Sequence, residues 1–219
     1  MFYLPEHDRV RDALARLELA VPADRLDEAH YRGVAALEQF RDGDTSIWHA
    51  YNRAYAQMCG VHDDDVDRAV AVLLEEFGRG GIWTRIIPGA RDALAELRDL
   101  GFGLAVVSNA DGTVEEQLRH DEICQVGPGP GVEVDAVLDS AVVGIAKPDP
   151  GIFRLALDTL GVAADETINV GDTPAADVAG ARAAGVAPVL VDPFDLHPEA
   201  DCVRVAALDE VPGLLRAWR

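Results

Sequence analysis

The sequence predicts an α/β protein: a Rossmann-like core of three layers, with a parallel sheet covered by helices, preceded by an all-helical domain. Residues 8 to 80 carry apolar side chains at helical spacing, and no strand is visible among them. After residues 78–81 (GRGG), helices alternate with short β-branched strands, which is typical of a parallel sheet. We therefore expect a helical domain over residues 1–80 and an α/β domain over residues 81–219.

In the helical domain, periodic apolar residues and capping candidates predict four helices. They begin near Val10, at the N-cap candidate Asp24, near Thr45, and at Asp63, where the helix runs to residue 77. The third helix carries Trp48, Tyr51 and Tyr55. Aromatic residues at this spacing are more often core than the wall of a substrate site, so we expect them to be buried.

In the α/β domain, strands are predicted over residues 104–107, 134–138, 167–170 and 189–191. Helices are predicted over residues 88–100, after residue 113, and over residues 152–160 and 175–184. The Gly- and Pro-rich stretch 127–131 lacks the Gly-Lys-Ser/Thr ending of a P-loop, so we expect a surface turn there.

Composition excludes several classes of partner. The chain carries 39 acidic and 19 basic residues, a formal net charge of -20, which disfavours binding of nucleic acid and of anionic lipid. Its three cysteines have no CxxC spacing, so neither a disulfide framework nor a zinc site is indicated. No apolar run approaches the ~18 residues of a membrane span, and no signal peptide is recognisable. We expect a cytoplasmic protein.

Three predicted strands are followed by groups suited to one phosphate ester. Ser108 and Asn109 offer a hydroxyl and an amide to phosphoryl oxygens, and Lys147, fixed by the following proline, can clamp a phosphate. Asp172 and Asp177 are hard oxygen donors suited to Mg²⁺. Each group alone could be a turn residue, a surface lysine or a helix cap. Ligands bind at the carboxyl ends of parallel strands, so the joint occurrence of these side chains at such ends favours a phosphate-binding site.

Three segments resemble motifs II, III and IV of the haloacid dehalogenase-like (HAD) hydrolase superfamily: residues 106–112 (VVSNADG), 145–153 (IAKPDPGIF) and 170–177 (VGDTPAAD). The resemblance covers residues 82–193, and residues 8–80 are similar to the all-helical cap of phosphatase-type members. It implies a Mg²⁺-dependent phosphatase that acts through an aspartyl-phosphate. Ser108 would bind the phosphoryl group, Lys147 would steady nucleophile and phosphate, and Asp172 would hold the metal, supported by Asp177.

The resemblance has one departure. The first motif of the family, an apolar strand followed by Asp-x-Asp-Gly-Thr/Val, does not precede the helical region, so the nucleophilic aspartate is absent from this chain. We expect a start assigned roughly a dozen residues too late, the length of a strand plus a turn. In an alternative interpretation, residues 2–4 form a stunted strand, and Glu6 and Asp8 imitate the two missing carboxylates.

Two further functions stay open at this point. A non-catalytic HAD-fold interaction or regulatory protein would not need the missing aspartate. A 2-haloacid dehalogenase would need no metal, but its fourth motif usually has Ser-Asn where this chain has Gly171-Asp172. The expected partner is a small-molecule phosphate ester of unknown identity. The chain is expected to be a monomer, or a homodimer formed through Trp48 and the nearby tyrosines.

Overall fold

The computed structural model describes residues 2–37 and 47–217 and divides the chain into two compact units. The first, here called the helical unit, comprises Phe2–Ile87 and Phe194–Pro198. The second, the α/β unit, comprises Pro88–Pro193 and the chain from Glu199 onward. The domain assignment of residues 1–80 and 81–219 stays a prediction.

The helical unit contains four α-helices and one pair of strands in its described residues. The helices are α1 (His7–Ala15), α2 (Leu26–Ala36), α3 (Ile47–Met58) and α4 (Asp63–Gly78), and the strands are β1 (Tyr3–Pro5) and β2 (Trp83–Ile86). The four predicted helices are confirmed, although the predicted start near Thr45 lies outside the described residues. The N-cap prediction at Asp24 is wrong, because Asp24 lies in a 3₁₀ turn ahead of α2.

Aromatic side chains fill much of the core of the helical unit. Tyr51 and Tyr55 are almost fully buried, as predicted, and the Tyr51 hydroxyl lies 2.8 Å from Nδ1 of His30. Trp48, in contrast, is 44% exposed, so the prediction that it is buried is wrong. The tyrosines are buried and therefore offer no exposed apolar patch. Homodimer formation stays a prediction.

The strand β1 pairs with β2 in antiparallel fashion, with Leu4 opposite Arg85. A strand thus exists close to residues 2–4, but it is not part of a parallel sheet. Glu6, which follows it, accepts a hydrogen bond from the hydroxyl of Thr84 within the helical unit. The alternative in which Glu6 and Asp8 imitate a catalytic carboxylate pair therefore gains no support.

In the α/β unit, every ladder between described strands is parallel. The strands are β3 (Ala105–Ser108), β4 (Cys124–Val126), β5 (Val132–Val134), β6 (Ala136–Asp139), β7 (Ile168–Gly171), β8 (Ala187–Val191) and β9 (Val203–Val205). The helices are α5 (Ala90–Asp99), α6 (Val114–His120), α7 (Ser140–Val143), α8 (Pro150–Leu160), α9 (Ala179–Ala183) and α10 (Glu210–Arg216). Alternating helices and parallel strands confirm the predicted α/β fold class.

Two ladders place the functional segments. Strand β3 pairs with β6, so that Ser108 lies opposite Asp139, and β7 pairs with β8, which in turn pairs with β9. In residues 2–37 and 47–217, β3 has no partner besides β6, and β7 none besides β8, so each strand keeps one unpaired edge. Helix α8 packs on β3 and β6 and also contacts α9. No helix in the described part of the chain is long and apolar enough to cross a membrane.

Candidate active site

The predicted phosphate-site residues come together in the α/β unit at the ends of β3 and β7. The link between them is the side chain of Lys147, which lies between α7 and α8. Its Nζ donates one hydrogen bond to the carbonyl oxygen of Val107 in β3 (3.0 Å) and another to Oδ1 of Asp177 (2.7 Å). The ammonium group therefore connects two strand ends that are far apart in the sequence.

Lys147 is the only lysine of the chain, whose other basic residues are all arginines. Its side chain is 12% exposed, and the Lys147-Pro148 peptide bond is cis. Asp149, two residues after Lys147, caps α8 by accepting a hydrogen bond from the Gly151 N–H (2.8 Å). An ammonium group is a compact point charge on a flexible stem, which suits it to a narrow site between two strand ends.

Asp172 and Asp177 follow β7 and are both buried, with 7% and 4% exposure. Asp177 lies in a π-helical turn, Pro174–Val178. Its Oδ1 accepts from Lys147, and its Oδ2 accepts from the Thr173 N–H (3.1 Å). Both oxygens of Asp177 thus have a partner within the protein, and Oδ1 of Asp172 accepts a hydrogen bond from the Thr173 hydroxyl (3.4 Å).

The pKa values of the two carboxyl groups are shifted in opposite directions. Burial raises the pKa of Asp172 to about 6, and the negative charge of Asp177 acts in the same direction. Burial also opposes ionisation of Asp177, but the charge and hydrogen bond of Lys147, together with the hydrogen bond from the Thr173 N–H, lower the pKa of Asp177. A cation beside Asp172 would favour its ionised form, since it would offset the cost of burying that charge.

The donor set fits a hard divalent cation. No cluster of three or more His, Cys, Asp or Glu side chains suited to a metal occurs in the described ranges. Mg²⁺ does not require one, because it keeps several waters and is usually bound by one or two carboxylates together with substrate phosphate. Asp172, with Asp177 behind it, meets that requirement.

Ser108 is the last residue of β3, and Asn109 follows it. The Ser108 hydroxyl makes no hydrogen bond to any described residue, so it is available to a ligand. The amide of Asn109, in contrast, is engaged with the backbone of Lys147: Nδ2 donates to the carbonyl oxygen (2.9 Å), and Oδ1 accepts from the N–H (2.8 Å). The predicted roles of these residues in phosphate binding stay predictions.

Comparison with known proteins gives the family. The model of the haloacid dehalogenase-like hydrolase family matches residues 5–185. The chain belongs to this family. A similar curated relative is a phosphoserine phosphatase from Thermus thermophilus, 41% identical over 143 residues, covering 64% of this chain and 55% of the relative. Another is haloacid dehalogenase-like hydrolase domain-containing protein 3 from Xenopus laevis, 33% identical over 138 residues, covering 63% and 53%. The chain spans about half the length of these relatives.

Solved structures of HAD-like proteins share the fold. A 2-haloacid dehalogenase from Pseudomonas syringae has a TM-score of 0.53 at 26% identity, covering 99% of this chain and 95% of that one. The HAD-hydrolase YfnB from Bacillus subtilis, solved bound to magnesium, has a TM-score of 0.59 at 17% identity, covering 98% and 94%. At 17% identity the likeness shows the fold alone.

Two residues that hold a loop next to the candidate site were missed by the sequence analysis. Asp139, at the end of β6, is buried and accepts hydrogen bonds from the N–H groups of Gly112 (2.9 Å), Val114 (3.4 Å) and Ala141 (2.9 Å). Ser140 bonds the backbone of the same loop at Ala110. Asp139 and Ser140 thus hold the loop that follows Ser108 and Asn109. An Asp-Ser pair after a strand is a helix-capping signal that could have revealed them.

Other polar residues have structural partners. Asp111 accepts from the N–H and hydroxyl of Thr113, the residue that precedes α6. In the helical unit, Arg85 pairs with Asp27 and Arg53 with Asp67. Residues 127–131 are organised by the buried Gln125, which bonds the backbone of Gly127 and Gly131. This agrees with a structural turn there.

Proposed function

We propose that the protein is a Mg²⁺-dependent hydrolase of small phosphate monoesters, with residues 81–219 as its HAD-like core and residues 1–80 as a helical cap. The observation that carries the proposal is the position of the Lys147 ammonium between the Val107 carbonyl and Asp177. It joins the end of β3, where Ser108 lies, to the turn after β7, where Asp172 and Asp177 lie. The phosphatase names of several relatives support the same class of substrate.

The residues divide the work of binding a dianionic phosphate. The Ser108 hydroxyl donates to one phosphoryl oxygen, and the Lys147 ammonium neutralises part of the negative charge. Local cations are needed because the formal net charge of the chain, -20, repels an anionic ligand. Mg²⁺, held by Asp172 and supported by Asp177, would supply further neutralisation of the phosphoryl oxygens.

Attack on phosphorus is assigned by the family resemblance to an aspartate that forms an aspartyl-phosphate. No residue of 2–37 or 47–217 matches that aspartate. We therefore assign to the described residues of this chain only the binding, orientation and charge neutralisation of the phosphate. Asp172 favours phosphate over halide substrates, because a dehalogenase needs no metal, whereas a buried carboxylate at this position can hold a cation that neutralises phosphate.

The test is a calorimetric titration of the full chain with inorganic phosphate, with and without Mg²⁺. Phosphate should bind more tightly with Mg²⁺ by about tenfold or more, the effect of a charge-assisted contact. Asp172→Asn should remove this Mg²⁺ effect. The matched control Asp158→Asn, an equal charge change at an exposed position on α8, should preserve it.

Phosphate affinity that is independent of Mg²⁺ and unchanged in Asp172→Asn would contradict the proposal. Failure of the chain to bind either phosphate or Mg²⁺ would favour a non-catalytic interaction protein. A parallel titration with 2-chloropropionate in place of phosphate distinguishes the two hydrolase chemistries, since binding of a haloacid to a dehalogenase-type site would not depend on Mg²⁺.

A further inference from the structure

The side chain of Asn109 pairs with the backbone of Lys147, 38 residues further along the chain. We infer that Asn109 is a positioning residue, which fixes Lys147 so that its ammonium reaches the phosphate, and that Asn109 does not itself bind substrate. The inference rests on the proposed phosphate site and refines the role of one of its residues.

The pairing uses both functional groups of the amide. The Lys147 N–H donates to Oδ1 at 2.8 Å, and Nδ2 donates to the Lys147 carbonyl oxygen at 2.9 Å. Only Asn and Gln side chains offer a donor and an acceptor side by side. The orientation of the amide is fixed by its partners, because a backbone N–H requires an acceptor and a carbonyl oxygen requires a donor.

Lys147 has no regular secondary structure to hold it. It lies between α7, which ends at Val143, and α8, which begins at Pro150, so its backbone polar groups have no helical or ladder partners. Lys147 is half-buried and Asn109 is exposed, and Asn109 supplies a protein partner for both backbone groups of Lys147. Without that amide, water would have to take its place, and water does not hold the backbone of Lys147 against the end of β3.

Residues at the end of β3 bind Lys147 both at its ammonium group and at its backbone. The carbonyl oxygen of Val107 accepts from Nζ, and Asn109 binds the backbone, while Ser108 between them keeps its hydroxyl available. Val107 thus fixes the ammonium group of Lys147 and Asn109 fixes its backbone, and Ser108 lies between these two residues in the chain. Both polar atoms of the Asn109 amide are engaged with the backbone of Lys147, and one N–H of Nδ2 takes no part in the pairing. The double-mutant cycle below tests whether that N–H contacts phosphate.

The first test uses the fact that Lys147 is the only lysine. In protein labelled with [α-¹⁵N]lysine, the amide spectrum contains a single signal, which is the N–H bonded to Asn109. Hydrogen exchange at this amide should be about tenfold or more faster in Asn109→Leu, which removes both hydrogen bonds at similar volume. Asn109→Asp keeps an acceptor and should retain much of the protection. Equal exchange in wild type and Asn109→Leu would overturn the inference.

The second test measures phosphate and Mg²⁺ binding in the same variants. Asn109→Leu should weaken phosphate binding by about tenfold. Mg²⁺ binding should be unchanged, which also shows that the variant is folded. Unchanged phosphate affinity in Asn109→Leu, alongside faster exchange at Lys147, would overturn the positioning role.

A double-mutant cycle separates positioning from direct contact. If Asn109 acts through Lys147, Asn109→Leu should cause no further loss of phosphate affinity in a Lys147→Gln background. The same loss in both backgrounds would show that Asn109 touches phosphate and would overturn the inference. Failure of wild-type protein to bind phosphate would instead overturn the proposed function, and the exchange rate would then decide alone whether Asn109 holds Lys147.

Discussion

Gly171 and Asp177 are packed so closely that no side chain can replace the glycine hydrogen. A Cβ atom at Gly171 would lie 2.3 Å from Cγ of Asp177 and 2.5 Å from its Cβ. The backbone of β7 therefore forms one wall of the space that holds the Asp177 carboxylate. Because Asp177 binds Lys147, this wall also sets the position of the ammonium group.

Substitution of Gly171 should damage both stability and the site. In Gly171→Ala the methyl group must displace Asp177, and such overpacking typically costs about 1 to 3 kcal/mol. The expected result is a lower free energy of unfolding in urea, together with weaker phosphate binding. Gly213→Ala is the control, since nothing lies within 4 Å of its Cβ position in α10, and there alanine should stabilise by up to about 1 kcal/mol. Equal stability of Gly171→Ala and wild type would contradict the packing.

Removal of one partner of the ion pair between Lys147 and Asp177 should destabilise the fold. Both side chains are largely buried, with 12% and 6% exposure, so Lys147→Met leaves an uncompensated carboxylate. We expect a loss of about 3 to 5 kcal/mol in the free energy of unfolding. The double variant with Asp177→Asn should recover part of that loss. Arg154→Met removes an exposed cation from α8 and should change stability by less than about 0.5 kcal/mol. No recovery in the double variant would argue against the pair.

Asp139 should be required for the loop after Ser108. In the wild-type protein, three backbone N–H groups share the Asp139 carboxylate. Asp139→Asn replaces one carboxylate oxygen with an amide donor, so at least one of these N–H groups loses its acceptor. The free energy of unfolding should fall by about 1 to 3 kcal/mol. Hydrogen exchange at Gly112 and Val114 should accelerate, while exchange in the helical unit should not change. Uniform acceleration over the whole chain would indicate global destabilisation rather than release of this loop.

The contribution of Glu76, in the helical unit, to the free energy of unfolding is predicted to depend on pH. Burial opposes its ionisation, but hydrogen bonding and charge from Arg9, with the charges of Arg79 and Arg16, lower its pKa below the ordinary 4.5. A carboxyl group with a lowered pKa stabilises the fold above its unfolded pKa, and this stabilisation is lost as pH falls through the folded value. Glu76→Gln should therefore be less stable than wild type at pH about 7 and approach it at pH about 3.

The control for this prediction is Glu75→Gln, an exposed neighbour on α4 that pairs only with Arg79 among the described residues. Urea unfolding of the three proteins at both pH values is the measurement. A constant difference between Glu76→Gln and wild type at the two pH values would show that the arginines do not shift the pKa of Glu76.

Much of the candidate site could be proposed from the sequence because its residues follow local signals. Ser108, Lys147 and Asp172 each come next to a strand end or a helix start that apolar periodicity, Pro or Gly reveals. The strands β4, β5 and β9 escaped prediction, since three residues show no clear alternation and are stable only through their ladder partners. The N-cap prediction at Asp24 failed because α2 is preceded by a 3₁₀ turn.

The sequence by itself determined the fold class, the family and the set of strand-end groups suited to phosphate. These properties depend on local periodicity and on motifs of a few neighbouring residues. Tertiary structure alone decided that Asn109 binds the backbone of Lys147, that Asp139 holds the neighbouring loop, and that Gly171 must lack a side chain. Each of these depends on contacts between groups brought together by parallel strands, and such distances are set by the packing of the sheet rather than by the order of residues.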